Sequence, residues 1–197
     1  MTTPTLSNPT LSNPALSTPM LPTPSASELA ALDKAELHAR VHQRVEAAWR
    51  LAREVYPALP LPKVWLDLRG KCAGQAHFGR QGLRFNPVLL AENRLAYFID
   101  VIPHEMAHWL VHHLEEGERM PPHGQEWRSV MRRLYGLEPK VTHMFDTRAA
   151  SPAPYRYECG CQNHHFSVRR HRLAHAGKHY VCRQCRQRLV WSREKII

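Results

Sequence analysis

No stretch of eighteen apolar residues occurs in this chain of 197 residues. The nearest approach, Leu95 to Leu114, is interrupted by Asp100, Pro103, His104, Glu105 and His108, so a membrane-spanning helix is excluded and a soluble protein expected. There is no basic residue before Lys34 and no continuous apolar segment near the N-terminus, so a secretory leader is not expected. Cysteine is scarce. Of five, four sit at 159, 161, 182 and 185, a spacing that suits a metal site in a reducing cytoplasm better than a disulfide framework. Cys72 is left over as an ordinary, partly buried thiol. Acidic residues are also few, 17 against 27 Lys and Arg. The shortage is local: residues 151–197 carry ten Lys and Arg but only Glu158 and Glu194, so eight of the ten net positive charges lie in the last quarter.

The first 25 residues repeat TLSNP, TLSNP, ALSTP, MLPTP. A proline every five residues defeats helix and sheet, and the apolar content is too low to offset chain entropy, which predicts a disordered tail over 1–25. Residues 26–150 and 151–197 follow as two folded units. From Ser27, Leu29, Leu32, Leu37, Val41, Val45, Trp49 and Leu51 recur at helical spacing, with Ser25 or Ser27 as cap and Pro57 as stop. KVWLDLR, AGQAHF and GLRFN then read as three short strands of a small, mainly antiparallel sheet, making the chain α+β. An edge strand of such a sheet can hold an extended peptide, and Gln75, His77 and Asn86 are candidates to line that cleft.

Within the apolar run lies His104-Glu105-Met106-Ala107-His108. On a helix, residues four apart share a face, so both imidazoles can reach one zinc ion while Glu105 addresses its water. Ile102, Met106, Trp109 and Leu110 supply the apolar face, and Pro103 fits a first helical turn. A hydrolytic zinc needs a third protein ligand. His112 is on the same face but about 12 Å along the axis from His104, too far to share the ion. After the turn-rich EEGERMPP the chain can come back, and His123 is the preferred third ligand with Glu126 as runner-up. A second helix then carries Trp127, Val130, Met131 and Leu134 on one face and stops at Gly136. His143, Tyr135, Tyr155 and Tyr157 are candidates to stabilise an oxyanion, and His143 is equally suited to joining the two units by hydrogen bonds.

The C-terminal unit pairs Cys159-Gly160-Cys161-Gln162-Asn163-His164 with Cys182-Arg183-Gln184-Cys185, two knuckles of a zinc ribbon. Cys161 and His164 preserve the two-residue gap of Cys182 and Cys185 and are preferred, with Cys159 able to replace either. Four protein ligands make a closed, structural site. Arg169, Arg170, Arg172, Arg183, Arg186 and Arg188 are candidate phosphate contacts, and Phe166, Tyr180 and Trp191 offer faces for unstacked bases.

The ordered set VIPHEMAHWLVHH, PPHGQEW, VTHMF and a Cys/His-rich tail resembles the SprT family of zinc metallopeptidase-like proteins, in its compact bacterial form, over roughly residues 27–191. The domain is similar to the protease domain of Spartan, which degrades proteins crosslinked to DNA. The resemblance implies a zincin-like fold, His104, His108 and His123 as ligands of a catalytic zinc, Glu105 as acid/base, and a second, structural zinc. It also implies single-stranded or junction DNA and DNA-bound proteins as partners. The long partner-binding tail of the eukaryotic enzyme is absent here. A monomer, with no membrane association, is presumed. The competing reading is a non-catalytic nucleic-acid-binding or transcription-associated protein with two structural zincs. Glu105 weighs against it, because a structural site needs no general base.

Overall fold

A computed structural model of the protein describes residues 21, 22, 24–114 and 121–196. The TLSNP repeat therefore lies outside the described residues. Leu21, assigned to the tail by composition, is buried in the core, and the Pro22 carbonyl accepts a bond from Arg44.

The expected first helix is two. Ser25 caps α1 (Ala26–Ala31) and Asp33 caps α2 (Lys34–Val55), each closing a reciprocal box with the glutamate three residues on, Glu28 and Glu36. The second box wins over continuous helix because Asp33 offers its carboxylate to the Glu36 N–H at 2.8 Å. Arg94 then satisfies the exposed end of α1, donating to the carbonyls of Leu29 and Leu32. Leu37, Val41, Val45, Ala48 and Ala52 form the buried stripe of α2.

Three short strands follow, β1 (Lys63–Trp65), β2 (Gly74–His77) and β3 (Gly82–Phe85), in the order β1-β3-β2. β2 and β3 form an antiparallel hairpin, whereas β1 runs parallel to β3. The long segment between β1 and β2 carries the chain across to the opposite edge, which leaves β2 as the edge strand beside the metal-site helix. Asn86, expected at the cleft, is instead buried: its side chain caps α3 (Pro87–Glu92) and donates to the Gly70 carbonyl. Gln75 accepts from Arg84 on the sheet, and His77 accepts from the Arg80 N–H in the hairpin turn. None of the three lines the cleft.

The long helix is α4 (Arg94–Ala96), a π-helical turn (Tyr97–Val101) and α5 (Ile102–Leu114) in direct succession. Pro103 is therefore in a helix interior and not in a first turn. It has no N–H for the carbonyl four residues back, and the wide turn immediately before it, where the Ile102 N–H reaches Tyr97 O, absorbs the mismatch. Ile102, Met106, Ala107, Trp109 and Leu110 are buried, each large side chain contributing about 1.5–3 kcal/mol of apolar burial. A second helix, α6 (Gln125–Ser129), runs through a further π-helical turn (Val130–Leu134) and ends at Gly136, whose φ of 66° supplies the left-handed stop.

The C-terminal unit has its own sheet, β4 (Tyr155–Glu158), β5 (Asn163–Phe166) and β6 (Val190–Lys195), antiparallel throughout in the order β5-β4-β6. Helix α7 (Val168–His175), capped by Ser167, packs beside it. Tyr157, Phe166, Cys182 and Leu189 form its small core. Across the two sheets three of the four pairings are antiparallel, and the α+β architecture stands. Among the described residues no helix is long and apolar enough to cross a membrane.

Candidate metal centre

His104 and His108 stand one turn apart on α5, and a turn closed by the Gly124 N–H to the Pro121 carbonyl brings His123 opposite them at the entrance to α6. Their Nε2 atoms form a nearly equilateral triangle with edges of 3.1, 3.2 and 3.1 Å. Three nitrogens bound to one tetrahedral zinc at 2.0–2.1 Å lie about 3.3 Å apart, so the triangle fits that ion. The chemistry of the donors agrees. The Nδ1 of His104 faces the Lys140 carbonyl at 3.1 Å, and since a carbonyl only accepts, Nδ1 carries the proton and Nε2 is a bare lone pair. Burial, followed by the neighbouring imidazoles, pushes His104 down to about 4 and His108 to about 3, and burial lowers His123. All three rings are thus neutral at pH 7, the form that binds metal.

Trp127 is the site residue that sequence reasoning placed only in the apolar core. Fully buried, it donates its indole N–H to the His104 carbonyl at 3.2 Å, and its ring lies 4.7, 5.6 and 4.7 Å from those of His104, His108 and His123. Its position four residues after His123, one helical turn on, was the available signal. Glu126, the alternative third ligand, is not in the cluster, and His112 stacks on Phe78 at 3.8 Å, away from it.

Glu105 is 7% exposed. Its Oε2 accepts the Ala76 N–H at 2.8 Å, so the outward edge of β2 is anchored to the helix through this carboxylate. Burial raises its pKa to about 8, against the pull of that hydrogen bond; a divalent cation at the three imidazoles would draw it down again.

His104 and Glu105 open into one cleft of about 680 Å³. One wall is Lys71 to Gly74, the other Lys140 to Phe145, and Asp100 and Val101 of the π-helical turn close the end. Tyr97 braces the first wall with its hydroxyl, 2.7 Å from the Ala73 carbonyl. His143 bridges the walls: its Nδ1 accepts the Phe145 N–H, so Nε2 bears the proton and donates to the Lys71 carbonyl at 3.0 Å. Of the four oxyanion candidates only His143 is at the cleft. Tyr135 is buried against the Ala48 carbonyl, and Tyr155 and Tyr157 belong to β4, in contact with His171. Cys72 lines the cleft as an exposed thiol, not a partly buried one.

In the C-terminal unit the structure gathers four thiols, Cys159, Cys161, Cys182 and Cys185, where the spacing favoured His164 over Cys159. Cys159 directly follows β4 and Cys161 lies in the tight turn before β5, so both thiols meet the second knuckle, while His164 is one step into β5, paired with Tyr157. Its Nε2 stays beside the cluster, 3.4 Å from the Cys159 sulfur. Backbone N–H groups lower the pKa of Cys182 and Cys159, whereas the adjoining thiols raise that of Cys161. Four thiolates at this spacing need a cation, and the Sγ separations of 3.4 and 3.7 Å fit tetrahedral zinc. The Gly160 N–H to Gln187 bond ties the two knuckles together.

Residues 40–143 match the model of the SprT-like family and residues 153–193 that of the SprT-like zinc ribbon domain. The chain is 40% identical over 158 residues to Protein SprT of Pseudomonas paraeruginosa, covering 78% of this chain and 95% of that one. It is 41% identical over 158 residues to Protein SprT of Pseudomonas fluorescens, covering 79% and 96%. With Protein SprT of Pasteurella multocida the identity is 37% over 156 residues, covering 78% and 93%. Two matched domains in sequence order, and likeness along nearly the whole length of these relatives, make the chain a member of the SprT-like family with a C-terminal zinc ribbon.

Proposed function

We propose that the protein is a zinc-dependent endopeptidase acting on proteins held on DNA, with the ribbon as its nucleic-acid contact. The observation that carries this reading is the convergence of three neutral imidazoles beside a buried carboxylate, with His104 and Glu105 opening into one cleft. His104, His108 and His123 would hold the ion. Zinc bound there supplies Lewis acidity and lowers the pKa of a water molecule to near neutrality. Glu105 takes a proton from the attacking water and delivers it to the leaving amine as the peptide C–N bond breaks. The Ala76 N–H fixes Oε2, which leaves Oε1 beside Gly74 to work on the substrate side. The Lys71–Gly74 wall leads into the edge strand β2 beside the cleft, where a substrate would run alongside the main chain, a mode that tolerates many sequences. A structural zinc would have no use for a carboxylate so placed, which disfavours the non-catalytic reading.

For the nucleic acid, Arg169, Arg170 and Arg172 project from α7, while Arg183, Arg186 and Arg188 lie in and beside the second knuckle. All six are exposed, and among the described residues none is in an ion pair with an acid. Phe166 is no base platform: it is fully buried against Tyr157, with Arg170 4.0 Å above its ring. Tyr180 and Trp191 instead line a hollow of about 390 Å³ with His175, Lys178 and Arg188, aromatic walls with a cationic rim that suit an unstacked base and its phosphate.

The test is digestion of a DNA-binding protein by the zinc-loaded chain, with single-stranded DNA, double-stranded DNA or none, alongside a chelator-stripped control. Zinc-dependent fragments that increase with DNA support the reading. Binding of DNA with no cleavage under any condition would overturn it.

A further inference from the structure

The ribbon holds one more metal donor than a zinc ion uses. Around the four thiols, His164 points its Nε2 at the Cys159 sulfur from 3.4 Å, and a nitrogen and a sulfur bound to one tetrahedral zinc lie about 3.5 Å apart. His164 is thus one ligand spacing from the position that Cys159 occupies. It is also set on a regular strand, β5, opposite Tyr157 of β4, so its backbone is fixed by the sheet and not by the knuckle loop. The knuckle itself is asymmetric. Cys159 and Cys161 are separated by one residue and Cys182 and Cys185 by two, and Cys161 with His164 restores the two-residue gap. Cys182 is buried and its N–H and carbonyl are bonded to Gln187 and Arg186, which locks the second knuckle; Cys159 is half-buried at the strand end.

We propose that His164 is a reserve ligand of the ribbon metal: when the Cys159 thiol is lost or blocked, His164 Nε2 completes the four-coordinate site with Cys161, Cys182 and Cys185. The exchange makes and breaks metal–ligand bonds only, and asks for a ring movement toward the vacated position with no rearrangement of the sheet. The ribbon then keeps its metal, and with it the arrangement of Arg183, Arg186 and Arg188, through damage to one thiol. This inference is independent of peptidase activity.

Cobalt titration of the full-length chain tests it, because thiolate-to-cobalt absorption in the near ultraviolet comes from the ribbon alone and the three-histidine site contributes none. His164→Ala should leave the wild-type spectrum unchanged. Cys159→Ala should still bind cobalt in the ribbon, within about a hundredfold of the wild-type affinity, with the charge-transfer band reduced as expected for three thiolates in place of four. The double variant Cys159→Ala/His164→Ala should lose at least a further hundredfold, on the order of removing a whole ligand. Cys159→Ser, closer in shape to the native side chain, should follow the same order. The proposal fails if Cys159→Ala binds as weakly as the double variant. It fails equally if His164→Ala alone changes the wild-type spectrum, which would make His164 a resident ligand.

Discussion

A β-carbon on Gly74 would lie 2.6 Å from both Cγ and Oε1 of Glu105, so the edge strand and the carboxylate share a space that only glycine leaves open. Real Cβ contacts essentially never reach that distance. The crowded atoms are the carboxylate's own, and its Oε2 is already tied to the Ala76 N–H. Gly74→Ala is therefore expected to displace Glu105 while leaving the three histidines in place. Cleavage should fall by about 10²–10⁴, the usual contribution of a positioned acid/base, with metal content unchanged. Zinc analysis beside a cleavage assay checks it; an active Gly74→Ala protein would show that Glu105 is not held as described.

Lys140 is held at both its carbonyl and its ammonium. Its carbonyl accepts from His104 Nδ1 at 3.1 Å, and its ammonium is bonded to Asp100 at 2.9 Å. Because the ion pair is half-exposed its own contribution to stability is small, and its value lies in fixing the carbonyl that orients the His104 ring. Asp100→Asn or Lys140→Ala should weaken zinc binding at the histidine site about tenfold, read by competition with a chromophoric chelator, with little change in unfolding midpoint.

The buried histidines should make the zinc-stripped protein sensitive to acid. His104 and His108 have folded values of about 4 and about 3 and return to about 6.5 on unfolding. Above pH 6.5 neither state binds these protons and the contribution of the two histidines is complete. Below it the unfolded chain is protonated first, so stability is lost as pH falls through 6.5 towards the folded values. Because the Glu105 carboxyl, raised to about 8, titrates with the opposite sign over this range, the test uses the stripped Glu105→Gln variant: its urea unfolding at about pH 7.5 and about pH 5 should give a lower midpoint in acid. An unchanged midpoint would mean that these rings are not buried and neutral.

Binding of the ribbon to single-stranded DNA should weaken as salt rises. Replacing one phosphate-contacting arginine, Arg183→Ala for instance, should lower the slope of log K against log salt by about 0.7. A slope that does not move assigns the cationic face another partner.

Much of the metal centre was legible in the sequence because its parts are local. His104, Glu105 and His108 occupy one helical turn, and a helix fixes their relation without help from the rest of the chain. His123 could be reached because a proline-rich turn and a helix start bracket it. What the sequence did not disclose depends on pieces far apart. Gly74 lies 31 positions before Glu105 and reads as a strand glycine until the two meet; Lys140 and Asp100 are 40 residues apart. The ribbon shows the limit of spacing arguments. The two-residue gap favoured His164, yet the β4–β5 turn brings Cys159 to the cluster, because where a strand ends decides which side chain faces in. Pro103 misled in the same way: a π-helical turn lets a proline sit inside a helix that its presence would ordinarily end.

The most direct test of the account compares wild type with Glu105→Gln, each analysed for zinc and each incubated with a DNA-bound protein and single-stranded DNA. Glutamine keeps the shape and can still accept the Ala76 N–H, but it cannot take a proton from water. The account predicts equal zinc content and DNA binding in the two proteins, with cleavage by the wild type and at least a hundredfold less by the variant. Equal cleavage by both, or equal inertness, would contradict Glu105 as the base of a zinc peptidase.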